Sequence, residues 1–295
     1  MSADRSEDRS EGRVRPGTQG RGAAEHTSVE PILRRCQDEG RAALIAYLPV
    51  GFPSVEGSIE AMRVVVEAGV DIVEIGMPYS DPVMDGAVIQ DAAVRALERG
   101  VRLRDVFTAA RAVTDPAGQA AGCVVMTYWN PVLRYGIERF AADLAAAGGS
   151  GVITPDLIPD EAGDWIAAAE THGLDRIFLV APSSTPERLA AVTSACRGFV
   201  YASAVMGVTG ARASVGEAAH DLVSRTREAT DLPVCVGLGV STGEQAAEVG
   251  RFADGVIVGS ALVRCLTEAA SEAAGRAALG DLARELADGV RGARG

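Results

Sequence analysis

The chain has 295 residues, a formal net charge of −12 and a hydrophobic fraction of 47%, and all 28 of its basic side chains are arginines. The absence of lysine excludes a Schiff-base enzyme, a lysine-anchored pyridoxal phosphate and a P-loop. The acidic balance argues against nucleic acid or an anionic membrane as a partner, because phosphate contacts need clustered cations.

The cysteine pattern and the hydropathy indicate a cytoplasmic protein. The five cysteines are scattered and form no C-x-x-C pair, as expected of reduced thiols. No apolar run approaches the roughly 18 residues of a membrane span, and no signal-peptide core is present. We therefore expect a cytoplasmic location and no membrane partner.

Residues 1–28 differ in composition from the rest of the chain. They hold five arginines and five acidic residues but almost no aliphatic side chain. Such a segment buries too little apolar surface to offset its ordering entropy. We predict a disordered tail over residues 1–28 and one catalytic domain over residues 29–295. A docking or transit arm is the alternative, and the mixed acidic content argues against it.

From Pro31 onward, short β-branched runs alternate with longer segments of helical periodicity. Strands are predicted at Ala43–Tyr47, Ile72–Met77, Cys123–Tyr128, Gly151–Thr154, Arg176–Ala181, Phe199–Ser203, Val234–Gly239 and Gly255–Val258. Helices are predicted at Pro31–Glu39, Ser58–Ala68, Leu103–Thr114, Ile137–Ala147, Glu161–His172, Pro186–Cys196, Glu217–Thr230, Gly243–Arg251, Ala261–Leu266 and Leu279–Val290. Three residues are placed to cap the helices that follow them: Ser54, Thr185 and Thr242.

Eight strands, each followed by a helix, predict a (β/α)8 TIM barrel with an extra N-terminal helix. A doubly wound sheet is the alternative, because the same alternation serves both folds. Two observations favour the barrel. The first strand lacks a G-x-G-x-x-G turn, and glycine turns follow the seventh and eighth strands, where barrels place a phosphate site.

The second predicted strand contains a carboxyl group among aliphatic residues. Side chains alternate along a strand, so Ile72, Glu74 and Gly76 share one face. On the barrel interior, burial would raise the pKa of Glu74 and suit it to general acid–base work. On the exterior, Glu74 would pair with an arginine of a flanking helix, and the strand pattern alone leaves both interpretations open.

The loop after this strand contains a second carboxyl group, Asp85. It lies at the catalytic end of the predicted barrel, close in sequence to Glu74. Two carboxyls in different surroundings suit two different acid–base roles. The pair Asp85-Gly86 is also a turn signal, so a purely structural role is the alternative.

Glycine turns end the last two strands and predict a phosphate site. Gly237 and Gly239 follow the seventh strand, and Gly259 and Ser260 follow the eighth. Glycines let backbone N–H groups approach a phosphate, and the N-terminus of the short helix that follows favours an anion. The small-residue loop after the sixth strand predicts a mobile lid, and Tyr201 beside it is either a site residue or a core tyrosine.

The positions of the three histidines in the sequence argue against a catalytic histidine and against a metal site. His26 lies in the predicted tail, His172 ends a predicted helix, and His220 lies within another. None follows a strand on the catalytic side, where a metal-dependent barrel needs its ligands. We therefore expect no metal.

Several segments together resemble the tryptophan synthase α subunit family. They are Val73–Pro82, Asp85-Gly86, Met126–Gly136, Pro155–Pro159, Gly207–Gly210 and Gly237–Gly239. The resemblance covers residues 30–290 in the order and spacing of the family. It implies cleavage of indole-3-glycerol phosphate to indole and glyceraldehyde 3-phosphate, with no cofactor in this chain.

The resemblance also implies a role for each matching residue. Glu74 matches the acid–base that protonates C3 of the indole ring, and Asp85 matches the carboxylate that accepts the indole N–H. Substrate contacts are implied for Tyr47, Tyr201 and Thr209. The phosphate cradle implied by the resemblance consists of Gly210, Gly237, Gly239, Gly259 and Ser260.

The family docks on a β subunit that carries pyridoxal phosphate, in an αββα complex through which indole passes. The second-strand loop and the loop around Asn130 form that contact in the family. Two departures concern the helix that follows Asp85-Gly86: Ala87 stands where a proline is frequent, and Val88 where a serine or threonine caps it. They imply a looser loop before substrate or partner binds.

Two other functions remain open. One is a subunit that only activates the β protein, which the presence of Glu74 and Asp85 argues against. The other is a lyase that releases indole without a partner. Indole-glycerol-phosphate synthase and thiazole synthase are disfavoured by the absent lysine.

Overall fold

The strands in the described part of the chain pair in parallel around one barrel. The computed structural model describes residues 28–115, 121–204 and 212–294, with no side chains for residues 212–215. The strands are β1 (Ala43–Pro49), β2 (Ile72–Gly76), β3 (Gly122–Met126), β4 (Gly151–Ile153), β5 (Asp175–Ile177), β6 (Leu179–Val180), β7 (Val200–Ser203), β8 (Val234–Gly237) and β9 (Gly255–Val258). The sheet order is β5-β4-β3-β2-β1-β9-β8-β7-β6.

The TIM-barrel prediction is confirmed. The two ends of the sheet order, β5 and β6, are joined through the single residue Phe178, so they correspond to one predicted strand that is interrupted. Each other predicted strand is present. Within the residues described, no helix is long and apolar enough to span a membrane.

Helices surround the barrel; ten of the twelve described helices have a predicted range, and Ala87–Glu98 and Trp129–Tyr135 have none. The helices are α1 (Glu30–Asp38), α2 (Val55–Glu67), α3 (Ala87–Glu98), α4 (Leu103–Thr114), α5 (Trp129–Tyr135), α6 (Ile137–Ala146), α7 (Gly163–His172), α8 (Pro186–Ala195), α9 (Arg212–Arg227), α10 (Gly243–Gly250), α11 (Ser260–Thr267) and α12 (Glu272–Gly292). A short 3₁₀ helix spans Pro159–Glu161. The side chains of Ser54, Thr185 and Thr242 accept the cap hydrogen bonds predicted for them.

Strand alternation separates two apolar cores. Ala43, Ile45 and Ile72 point into the barrel, whereas Leu44 and Val73 face the helices. The interior is filled further by Val124, Ile153, Ile177, Phe199, Cys235 and Ile257. Above this filling, at the C-terminal ends of the strands, the described residues enclose a cavity.

Helix α1 closes the N-terminal end of the barrel. Val29, Leu33 and Cys36 pack against the interior core and are fully buried. Asp175, at the start of β5, accepts hydrogen bonds from the Val29 N–H (2.8 Å) and the Ser28 hydroxyl (3.0 Å). This end of a barrel serves stability, and burial raises the pKa of Asp175 to about 6.

Candidate functional site

Strand β2 places Glu74 in the barrel interior, two residues after Ile72 and on the same face of the strand. The side chain is 1% exposed, and its Oε2 has no hydrogen-bond partner among the described residues. Burial, and then the negative charge of Asp85, raise the pKa of Glu74 to about 8. An outward Glu74 paired with an arginine is therefore wrong. The carboxyl is held protonated near neutral pH, which lets it donate a proton.

Asp85 lies in the loop between β2 and α3 and lines the same cavity as Glu74. Burial raises the pKa of this half-buried carboxyl. Its carbonyl accepts a hydrogen bond of 2.7 Å from the side-chain amide of Gln90. Two carboxyls thus face one cavity, with Glu74 deeper and less solvated than Asp85.

A cavity of about 350 Å³ opens at the C-terminal ends of the strands. Eight of the ten residues predicted for the site line it, namely Tyr47, Glu74, Asp85, Tyr201, Gly237, Gly239, Gly259 and Ser260. The other two, Thr209 and Gly210, lie outside the described residues, as does His26. Elements from opposite sides of the barrel therefore meet at this cavity.

Two tyrosines flank Glu74, each packed over a glycine of a neighbouring strand. A Cβ on Gly76 would overlap the Tyr47 hydroxyl, and one on Gly237 would overlap the Tyr201 hydroxyl. Burial first, and then the nearby carboxyls, raise the pKa of both phenols. Both are neutral near pH 7 and can donate a hydrogen bond.

Backbone from β8 and β9 forms the opposite rim of the cavity. Gly239 has φ +76°, a conformation that side chains other than glycine rarely adopt. Ser260 begins α11 directly after Gly259, so free N–H groups of this helix lie at the rim. A Cβ on Gly86 would lie 3.8 Å from the Ser260 Oγ, so the loop that carries Asp85 reaches this rim.

The apolar wall of the cavity was not predicted from the sequence. It is formed by residues at strand ends, in the β2–α3 loop and in the first turn of α3: Met84, Ile89, Met126, Leu238 and Ile257. Met126, Leu238 and Ile257 lie at or next to the C-terminal end of a strand, which is the sequence signal that could have identified them. Such a wall suits a flat aromatic group.

The two described histidines lie away from the cavity. His172 ends α7 and pairs with Glu138 at 2.7 Å, and His220 on α9 packs edge-on against Phe252. Among the residues that the structure describes, no group of three or more His, Cys, Asp or Glu side chains could hold a metal ion.

A parallel barrel with a buried carboxyl in a glycine-rimmed cavity at the C-terminal ends of its strands is typical of a TIM-barrel enzyme. The chain belongs to the tryptophan synthase alpha chain family, whose model matches residues 33–291. It is accordingly a lyase that cleaves indole-3-glycerol phosphate.

Individual relatives agree with this assignment. The chain is 61% identical to the tryptophan synthase alpha chain of Mycolicibacterium paratuberculosis over 89% of this chain and 94% of that one. A tryptophan synthase structure from Mycobacterium tuberculosis matches with a TM-score of 0.82 and 57% identity, over 89% of this chain and 98% of that one. Tryptophan synthase subunit alpha from Legionella pneumophila matches at 31% identity and a TM-score of 0.80, over 89% and 97%.

Proposed function

We propose that Glu74 is the acid–base of the cleavage and that Asp85 stabilises the indole nitrogen. The observation that carries this proposal is the buried Glu74 carboxyl, which has a pKa of about 8 and faces the cavity together with Asp85. A group with a pKa near the working pH can both give and take a proton.

The proton returns to the residue that donates it. The protonated Glu74 carboxyl gives its proton to C3 of the indole ring, and the ring becomes an indoleninium cation. The carboxylate then takes the proton of the hydroxyl next to the ring. As that hydroxyl becomes an aldehyde, the C–C bond breaks, and its electron pair restores the indole and neutralises the ring nitrogen.

Asp85 and the glycine rim hold the two ends of the substrate. Asp85 accepts the indole N–H and stabilises the positive charge that develops on the nitrogen. Tyr47 and Tyr201 contact the substrate beside Glu74, and Thr209 does so from the lid. Backbone N–H groups at the rim bind the phosphate without a lysine, in a cradle formed by Gly210, Gly237, Gly239, Gly259 and Ser260.

The assay of indole from indole-3-glycerol phosphate, with and without a β subunit, tests this function. We expect indole from the isolated chain and faster release with the β subunit. Indole only in the presence of the β subunit would favour a pure activator. Near-maximal turnover without it would favour a stand-alone lyase.

We further propose a β-subunit contact at one apolar patch. Four of the five large hydrophobic side chains exposed in the described structure belong to the β2–α3 loop, α5 and the loop after β4. They are Val83 (77% exposed), Met84 (42%), Leu133 (53%) and Ile158 (43%). We call these four residues the rim patch. Exposed apolar clusters of this kind mark interaction sites.

Hydrogen bonds join the three segments of the rim patch into one surface. The Tyr128 hydroxyl accepts from the β2–α3 loop, and the Asp156 carboxylate accepts from the N–H of Trp129 at the start of α5. The substrate cavity lies beside the same loop. A β subunit seated here would cover the mouth through which indole leaves.

Replacing Leu133 with aspartate should weaken β-subunit binding by about tenfold or more, because a charge would be buried at an apolar contact. Titration calorimetry with the β subunit measures the effect. The matched control is Val94→Asp, which puts the same charge on the fifth exposed side chain, 50% exposed on α3. Equal losses in the two variants would contradict this docking surface.

We propose that residues 1–27, which lie outside the described residues, are a tail separate from the catalytic domain; Ser28, predicted as its last residue, instead donates a hydrogen bond to Asp175 of the domain. A further proposal is that pyridoxal phosphate belongs to the β partner alone. We also propose a cytoplasmic location. It is supported by the five cysteines, all of which are free thiols in the described part of the chain.

A further inference from the structure

The loop that carries Asp85 is held by a side chain that follows β3. The Tyr128 hydroxyl accepts hydrogen bonds from the backbone N–H groups of Val83 (3.0 Å) and Met84 (3.1 Å). These are the two residues directly before Asp85. The position of one phenol oxygen therefore fixes the peptide units that lead into this carboxyl group.

Tyr128 is itself firmly placed. Its side chain is 4% exposed, and its ring stacks on Tyr79 with the centroids 4.9 Å apart. Its carbonyl accepts a hydrogen bond of 3.0 Å from the Thr127 hydroxyl. The next residue, Trp129, begins α5 and donates its N–H to Asp156. The phenol thus projects from a well-restrained backbone.

The loop has weaker restraints at its other end. Helix α3 begins at Ala87 behind Gly86, which has no side chain to cap it. The Gln90 amide donates to the Asp85 carbonyl, but Gln90 is exposed. An exposed hydrogen bond competes with water and contributes little. Two bonds to a buried phenol restrain the loop more strongly.

We infer that Tyr128 is a positioning residue for the lyase reaction, whose hydroxyl holds the β2–α3 loop so that Asp85 faces the cavity. This inference rests on the role proposed above for Asp85. Tyr128 is not among the described side chains that line the cavity. Its effect on turnover therefore passes through the loop and not through contact with the substrate.

The test is Tyr128→Phe in the full chain, assayed for indole release from indole-3-glycerol phosphate. Phenylalanine keeps the ring but leaves two loop N–H groups without their acceptor. We expect kcat to fall about 10- to 100-fold, since a misplacement of about 1 Å at a reacting group has such a cost. KM should change only a few-fold, because the glycine rim is untouched.

A double-mutant cycle with Asp85→Asn separates positioning from a general effect. In the Asp85→Asn background, the Tyr128→Phe change should lower kcat less than threefold, because the carboxylate that it positions is already gone. An equal loss in both backgrounds would overturn the inference. An Asp85→Asn variant with normal turnover would instead overturn the role of Asp85.

The matched control is Tyr135→Phe. Tyr135 is a partly buried tyrosine on α5 whose hydroxyl donates to Asp143 on α6, away from the β2–α3 loop. Turnover within twofold of the unmodified chain is expected. If Tyr135→Phe lowers kcat as much as Tyr128→Phe does, the effect belongs to packing and the inference fails.

Discussion

Glu74→Gln should lower kcat for indole release by about 10²- to 10⁴-fold, the range expected when a general acid–base is removed. Glutamine has nearly the same shape and no charge, so it fills the space of the protonated carboxyl. It cannot give a proton to the indole ring or take one from the hydroxyl. Steady-state assays with indole-3-glycerol phosphate measure the loss.

Binding separates this effect from damage to the site. The affinity for glycerol 3-phosphate, measured by titration calorimetry, should stay within a few-fold of the original. Glu74 lies below the glycine rim and does not belong to it. Retained turnover in the variant would remove Glu74 from the mechanism, whatever happens to binding.

Stability against pH gives an independent measure of the Glu74 carboxyl. Its pKa is raised from 4.5 to about 8 in the folded chain, so the folded state favours the protonated form. The stabilising contribution is complete below about pH 4.5 and is lost as pH rises through about 8. The unfolding free energy of Glu74→Gln, relative to the original chain, should therefore rise across this window. A flat difference would contradict the raised pKa.

Asp85→Asn should lower kcat by about 10²- to 10³-fold, the cost of removing one group that stabilises transition-state charge. Asparagine still offers an oxygen to the indole N–H, but it has no negative charge to balance the charge on the nitrogen. KM should change much less than kcat, because this interaction strengthens only as that charge develops. The indole assay measures both constants.

The same substitution should shift the pH profile. The charge of Asp85 raises the pKa of Glu74, so its removal lowers that pKa. The alkaline limb, where Glu74 loses its proton, should then move to lower pH. The control is Asp81→Asn, an exposed carboxylate of the same loop whose partner is the adjacent Ser80. A profile that moves equally in both variants would contradict the coupling.

The barrel and the location of its site were predictable from the sequence, because both follow from the alternation of residues along single strands and from the turns that follow them. Strand alternation places Glu74 on the face of Ile72, and the barrel turns that face inward. The observed register pairs Tyr47 with Glu74, which explains why an aromatic side chain meets the carboxyl. Glycine turns after the last two strands identified the rim, because few other residues permit a backbone approach.

Other features depend on contacts that no local pattern contains. Helix α12 begins at Glu272, well before its predicted start at Leu279. The added turns include Gly275, a poor helix former, where a Cβ would lie 3.2 Å from the Cys265 carbonyl oxygen. The seven-residue helix α5 contains a proline and has too few residues to show periodicity. The Tyr128 hydroxyl accepts hydrogen bonds from Val83 and Met84, which lie 45 and 44 positions earlier in the sequence.

The filled N-terminal end of the barrel bears on how substrate enters the active site and how products leave it. Among the described residues, helix α1 and the interior side chains fill the N-terminal end of the barrel, and the catalytic cavity lies at the C-terminal ends of the strands. Substrate binding and the release of both products would then take place at the C-terminal face of the barrel. A β subunit bound to the rim patch would lie at the mouth of this cavity. Indole would then pass into the β subunit and not into the solvent.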